Sequence, residues 1–229
     1  MSGGTKVIKR EKEKKMGYQV NIGCGQTPTE GWKNFDNSPS IKFAKSPLLF
    51  RLATLLGLLD KSQNEYIEWL KNNNIDYGDA TKKIPLPDNS VITIYSSHMF
   101  EHLSRDGGVR FLQEIQRLLV TDGVVRVVIP DLEKAISRYN KEKNADEFME
   151  RISVTSPPIS SLKNKLRFIF SGIRHHQWMF DGDSLANLLK SQGFRNVTIQ
   201  INGNTLIESP GNLNLFEREE ESVVVEAKK

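Results

Sequence analysis

A short apolar run, Val20-Asn21-Ile22, ends in a glycine pair, Gly23-Cys24-Gly25, and eleven residues after Gly25 a second run ends in the carboxylate Asp36, followed by Asn37. Glycines at such a turn let backbone N–H groups approach a ligand without an intervening Cβ. A carboxylate at the end of the neighbouring strand can accept hydrogen bonds from two adjacent hydroxyls, as on a ribose. In an open α/β sheet both features lie at the carboxyl edge of the strands, where ligands bind. Two more runs end the same way, one in Gly78-Asp79-Ala80 and one in Ser96-Ser97-His98. Together they outline a nucleoside-binding crevice, with the nucleoside still open.

The elements that must position these residues follow from periodicity and turn chemistry. Strands are expected at 18–22, 32–35, 75–77, 91–95, 124–129, 197–201 and 222–226, with Val91 to Tyr95 of the fully buried kind. Helices are expected at 62–72, at 106–119 with Phe111, Leu112, Ile115, Leu118 and Leu119 on one face, and at 132–143. Asp122-Gly123 reads as the break after the second of these. Asp183 reads as the cap of a helix at 184–192, with Gly193 at its C′ position. Only Gln26 to Gly31 separates the first two strands, too short for a crossover helix of at least ~10 residues. The alternation predicts a doubly wound, mostly parallel seven-stranded α/β sheet, with the last two strands as an antiparallel edge hairpin. Two excursions, at about 39–74 and 144–182, interrupt it as helical insertions suited to be lids.

Composition limits the partners. A hydrophobic fraction of 38% with 26% charged residues is that of an ordinary globular protein. No run approaches the ~18 apolar residues of a membrane span. The net charge of +4 is accounted for by residues 1–15, six basic against two acidic, so the remaining body at 16–229 is neutral. A nucleic-acid binder needs a basic face on its folded body, so nucleic acid is not an expected partner. The first fifteen residues read as a disordered, solvated leader with no apolar core, hence not a signal peptide. Cys24 is the only cysteine, which precludes an internal disulfide and fits a reducing, cytoplasmic setting.

Two common nucleotide readings lose ground on local detail. A dinucleotide fingerprint places a third glycine three residues after the second, and that position is Pro28, which lacks an N–H. No lysine follows the glycines at P-loop spacing. A nicotinamide oxidoreductase is therefore the weakest of the enzyme readings.

The ordered set of motifs resembles the class I S-adenosylmethionine (SAM) dependent methyltransferases. The matching pieces are Asn21-Ile22-Gly23-Cys24-Gly25, Gly31-Trp32-Lys33-Asn34-Phe35-Asp36, Gly78-Asp79-Ala80, Ser97 to Leu103, Glu114 to Leu119, Arg126 to Asp131, His176 to Asp181, Gly193-Phe194 and Val225 to Lys229. Within that group the chain is most similar to small methyltransferases encoded beside sugar-polymer biosynthesis genes. The resemblance implies a Rossmann-like fold with SAM as cofactor. Asn21, Gly23, Cys24 and Gly25 would line its methionine end, and Asp36 with Asn37 would hold the ribose. Asp79 and Ala80 would reach adenine, and Ser97 and His98 would border the methyl. The chain departs from the common pattern by carrying Asn21 where many relatives have an acid.

A sugar or glycan acceptor is implied by the same resemblance. A sugar hydroxyl is a poor nucleophile and benefits from a general base. His98, His102, Asp131, His175 and His176 are the candidates, and His98 is the best placed, at a strand end. Trp178 and Phe180 either stack on a sugar face or plug the core. The histidines are not spaced like a metal site, so none is expected. Lys163, Lys165, Arg167 and Arg174 interleave with apolar residues, a pattern that suits an ordinary helix or a peripheral membrane contact. The readings carried forward are a sugar or lipid-linked-glycan O-methyltransferase, a methyltransferase for another small molecule, and a non-catalytic SAM-binding module. The oligomeric state is not legible from sequence.

Overall fold

A computed structural model describes residues 17–154 and 175–229. Seven strands form one sheet: β1 (Tyr18–Ile22), β2 (Lys33–Asp36), β3 (Ile75–Tyr77), β4 (Val91–Ser97), β5 (Leu119–Pro130), β6 (Arg195–Gln200) and β7 (Ser222–Lys228). Their spatial order is β3-β2-β1-β4-β5-β7-β6. The first five strands run parallel, and β7 is antiparallel to both its neighbours. The chain direction across the sheet reverses between β1 and β4, and at such a switch point the carboxyl edge opens into a crevice.

The helices are α1 (Ser40–Ala44), α2 (Pro47–Leu55), α3 (Lys61–Lys71), α4 (Arg105–Leu118), α5 (Leu132–Glu142), α6 (Ala145–Ile152) and α7 (Gly182–Ser191), with a 3₁₀ turn at Phe100–His102. No helix joins β1 to β2, as the short spacing requires. The buried stripe of α4, Phe111, Leu112, Ile115 and Leu118, packs with Leu185, Leu188 and Leu189 of α7 on the strands' Val20, Ile94, Val125 and Val225. On another cluster Trp32, Tyr95, Val128 and Val224 are covered by Ile207 and Leu213 of the irregular 201–221 segment. That segment is held by a buried ion pair. Arg126 donates to Glu226 at 2.8 Å and to the carbonyls of Asn204 and Leu215, while Glu226 accepts from Thr205 and from the Leu206 N–H.

The structure corrects two local readings. Asp122-Gly123 does not end a helix. α4 stops at Leu118, because Leu119 already adopts extended backbone, and the Asp-Gly pair is a bulge within β5. The cap of α7 is Asp181, not Asp183. Its side chain accepts from the Ser184 N–H at 2.7 Å, while the Ser184 hydroxyl accepts from the Asp181 N–H at 3.1 Å. Asp183 instead sits in the first turn, where negative charge favours the helix dipole.

Candidate active site

The β1–β2 register pairs Ile22 with Phe35, so Gly23 and Asp36 emerge side by side at the carboxyl edge. Gly23 and Gly25 adopt φ of +72° and +51°, backbone that only glycine takes without strain. The Gly23 and Cys24 N–H groups donate to the Phe35 carbonyl, and the Gly25 N–H donates to Asp36 Oδ2 at 3.0 Å. Asp36 Oδ1 accepts from the Ser38 N–H at 2.7 Å. The carboxylate therefore fixes the glycine turn and still presents acceptor lone pairs to the cleft. Burial pushes its pKa above the ordinary aspartate range, against the pull of those two N–H donors. A Cβ on Gly23 would stand 2.3 Å from Met99 Cγ, so this position has no room for a side chain.

A cleft of about 790 Å³ runs from this turn along the sheet edge, within the range that holds a nucleoside-sized ligand. Of the residues singled out from the sequence, Gly23, Gly25, Asp36, Asn37, His98 and His102 line it. α3 adds Ser62, Gln63 and Tyr66, and the first turns of α4 add Ser104, Gly107 and Arg110.

The other candidates drawn from the motifs lie elsewhere. Asn21 is buried, and its amide donates to the Thr27 carbonyl and the Thr29 hydroxyl, so it holds the loop behind the glycines rather than the cleft. Cys24 turns its side chain into the apolar cluster of Ile41, Leu70 and Ile75, where burial raises the thiol pKa. It offers the turn its backbone alone. The Asp79 carboxylate is taken by the Thr81 N–H and hydroxyl and by Lys82; burial works to raise its pKa, but these partners outweigh it and hold the acid low. Thr81, not Asp79, reaches the cleft, and Ala80 is core. Ser97 closes β4 without lining the cleft. Asp131 caps α5 through the Glu133 N–H and borders a separate small hollow with Lys134 and Arg138, so its position is that of a helix cap. Phe180 is core, whereas Trp178 is half exposed with the Arg105 guanidinium over its ring. Lys163, Lys165, Arg167 and Arg174 of the basic segment and the first sixteen residues lie outside the described residues.

Beside the cleft three histidines gather around one acid. His98 has φ +48°, unusual for a non-glycine residue and of the kind that clusters at functional sites. Its Nε2 stands 2.9 Å from the Ser222 hydroxyl and its Nδ1 3.4 Å from Glu101 Oε1, so both ring nitrogens face protein groups. His102 is anchored differently. Its Nδ1 is 3.1 Å from the His175 carbonyl, which can only accept, so Nδ1 carries the proton and Nε2 the lone pair. The His176 ring meets that of His102 edge-on at 5.1 Å. Burial pushes the His176 pKa below the usual histidine range, opposed by Glu101. The chain segment bearing His176 is bolted down by the Gln177 N–H and side chain, which donate to the Glu101 and His102 carbonyls. The sequence shows Glu101 only as the neighbour of His102 beyond a strand end; its burial is not legible there, because nothing local says that a carboxylate beside a histidine will be buried.

Residues 57–127 match the family model for a methyltransferase domain. No curated protein matches the chain. Among solved structures the fold is shared with a SAM-dependent methyltransferase from Methanosarcina mazei, at 11% identity and a TM-score of 0.51, covering 94% of this chain and 93% of that one. A SAM-dependent methyltransferase from Archaeoglobus fulgidus aligns at 14% identity and a TM-score of 0.49, covering 94% and 88%. The match over residues 57–127 supports a SAM-dependent methyltransferase with S-adenosylmethionine as its cofactor, and the fold agrees with it. The cleft's residues suit that cofactor: an open glycine turn, a carboxylate with lone pairs to spare and a volume of the right order.

Proposed function

We propose that this protein methylates a hydroxyl oxygen of a sugar, on a polysaccharide precursor or lipid-linked glycan. The observation that carries the reading is the pairing of a cofactor-sized glycine cleft with a histidine-rich end at His98 and His102. SAM supplies an electrophilic methyl group and leaves as a neutral thioether. A sulfur nucleophile would need little help against it, but an alcohol needs its proton taken. His102 is the residue assigned to that proton, because the His175 carbonyl fixes its tautomer with the Nε2 lone pair available. This choice departs from the preference for His98 that strand position alone suggests, since His98 Nε2 is engaged by the Ser222 hydroxyl and its Nδ1 faces the buried Glu101 carboxylate at 3.4 Å. Polar groups from Ser40, Ser62, Ser104, Arg110 and Gln177 line the walls, as recognition of a polyhydroxylated acceptor requires. On this reading Asp36 receives the ribose hydroxyls, and the cleft wall orients the acceptor for in-line attack. Such positioning is worth up to ~7–11 kcal/mol of the barrier.

A lipid-linked acceptor is supported by α2. Leu48, Leu49, Leu52, Leu55 and Leu56 are all exposed along it, an apolar face with no protein cover among the described residues. From residue 40 to 61 basic residues outnumber acidic ones four to one, so the surface fits an anionic bilayer. No helix among the described residues is long and apolar enough to cross a membrane. Co-sedimentation should occur with vesicles containing phosphatidylglycerol and weaken with Leu52→Glu; equal recovery with and without vesicles would remove the lipid from the reading.

The function itself is tested by incubating the protein with SAM and a panel of monosaccharides, nucleotide sugars and lipid-linked glycans, reading a one-methylene mass gain. Tight binding of SAM with no product from any acceptor would instead identify a binding module that has kept the fold.

A further inference from the structure

Glu101 is the least expected group in the molecule. It is 1% exposed, in the 3₁₀ turn after β4, and neither carboxylate oxygen has a hydrogen-bond partner among the described residues. A buried carboxylate without partners costs several kcal/mol, so proteins rarely keep one unless a cation or a second function compensates. Its neighbours are histidines that do not meet it as hydrogen-bond partners: His98 Nδ1 stands 3.4 Å away without hydrogen-bond geometry, and His176 Nε2 stands 3.9 Å away. A proton relay would close those gaps to ~2.6–3.2 Å. The spacing leaves room between the groups instead.

One ligand atom each from Glu101, His102 and His176 lies within 4.8 Å of the other two, the one such trio among the described residues. Two imidazoles and a carboxylate with a side left open are the donor set of mononuclear divalent transition-metal sites. His102 has the outer partner that a metal-bound histidine usually has, a carbonyl accepting from its other ring N–H. The Gln177 bonds to Glu101 and His102 hold the two chain segments in register, so the donors are assembled by the backbone.

We propose that Glu101, His102 and His176 bind one divalent transition-metal ion of the zinc, iron, cobalt or manganese class, its open coordination position turned toward the cleft that His102 lines. Bond lengths of ~2.0–2.2 Å require the donors to draw together by about an ångström, a side-chain motion that leaves the backbone in place. If the acceptor is a hydroxyl, as proposed above, its oxygen would take the open position and release its proton to solvent water, the ion stabilising the alkoxide in place of His102 acting as a direct base. Metal binding itself does not depend on that reading.

The test uses Co²⁺ as the probe, with full-length protein freed of metal by chelator and no SAM or acceptor present. The expected result is a visible-absorption titration that saturates at one equivalent and a raised melting temperature. Excess Zn²⁺ should abolish the absorption. His102→Ala and His176→Ala should each weaken Co²⁺ at least tenfold, and His176→Ala, outside the cofactor cleft, should leave S-adenosylhomocysteine affinity unchanged. Glu101→Gln should weaken Co²⁺ likewise. Should that core variant fail to fold, the two histidine variants decide the matter. An unsaturable titration, or one whose midpoint is unmoved by both histidine variants, overturns the site. A protein that binds Co²⁺ as described yet methylates no sugar keeps the site and loses the acceptor.

Discussion

Asp36 is the residue on which cofactor affinity should turn. Its carboxylate accepts from the Gly25 and Ser38 N–H groups and, on the proposed reading, from the ribose. In Asp36→Ala the two N–H groups lie at the cleft edge, where water can replace the lost acceptor, so the fold should survive. The ribose loses a charged acceptor worth roughly 1.5–3 kcal/mol, which corresponds to about 10- to 150-fold weaker binding. Asp36→Asn keeps a neutral acceptor oxygen and should lose about half of that free energy. The raised pKa sets a pH signature. As pH falls, this carboxyl protonates earlier than an ordinary aspartate and gives up acceptor capacity. Wild-type affinity should therefore decline in mild acid, and the Asn variant should lack that decline. Isothermal titration with S-adenosylhomocysteine, at neutral pH and again in mild acid, measures both effects. An Asp36→Ala protein with native circular dichroism and affinity within about twofold of wild type would refute the assignment of the ribose to this acid.

Gly23→Val forces a left-handed φ on a β-branched residue and drives its side chain into Met99, so binding of S-adenosylhomocysteine should vanish while the sheet's circular dichroism persists. Glu226→Gln leaves the Arg126 charge buried and poorly compensated; a loss of about 3–5 kcal/mol in urea denaturation is expected, far more than a surface pair gives. Asp181→Ala removes the α7 cap and should cost ~1 kcal/mol. The hydrogen bond from the Ser184 N–H leads the causes that hold the Asp181 pKa low, so its contribution is full above the ordinary aspartate pKa and disappears as pH falls through the depressed value. The variant's stability deficit should shrink accordingly in acid denaturation.

Residue order alone carries the part of this protein that obeys local rules. Alternation and β-branching mark the strands, positive φ demands the glycines, and the ten residues between β1 and β2, three of them the glycine turn, leave no space for a helix. Because parallel strands end on one edge, the order of the motifs already places Gly23, Asp36 and His98 together. Direction and partnership arise only in three dimensions. Cys24 sits beside two cleft-lining glycines yet points into the core, and Asp131 ends a strand yet caps a helix, because packing and not residue type settles which way each side chain turns. His102 and His175 are 73 residues apart, and Arg126 and Glu226 are 100 apart. No periodicity reaches that far. Only closure of the sheet and return of the chain across its edge bring a buried acid and its histidines into one place.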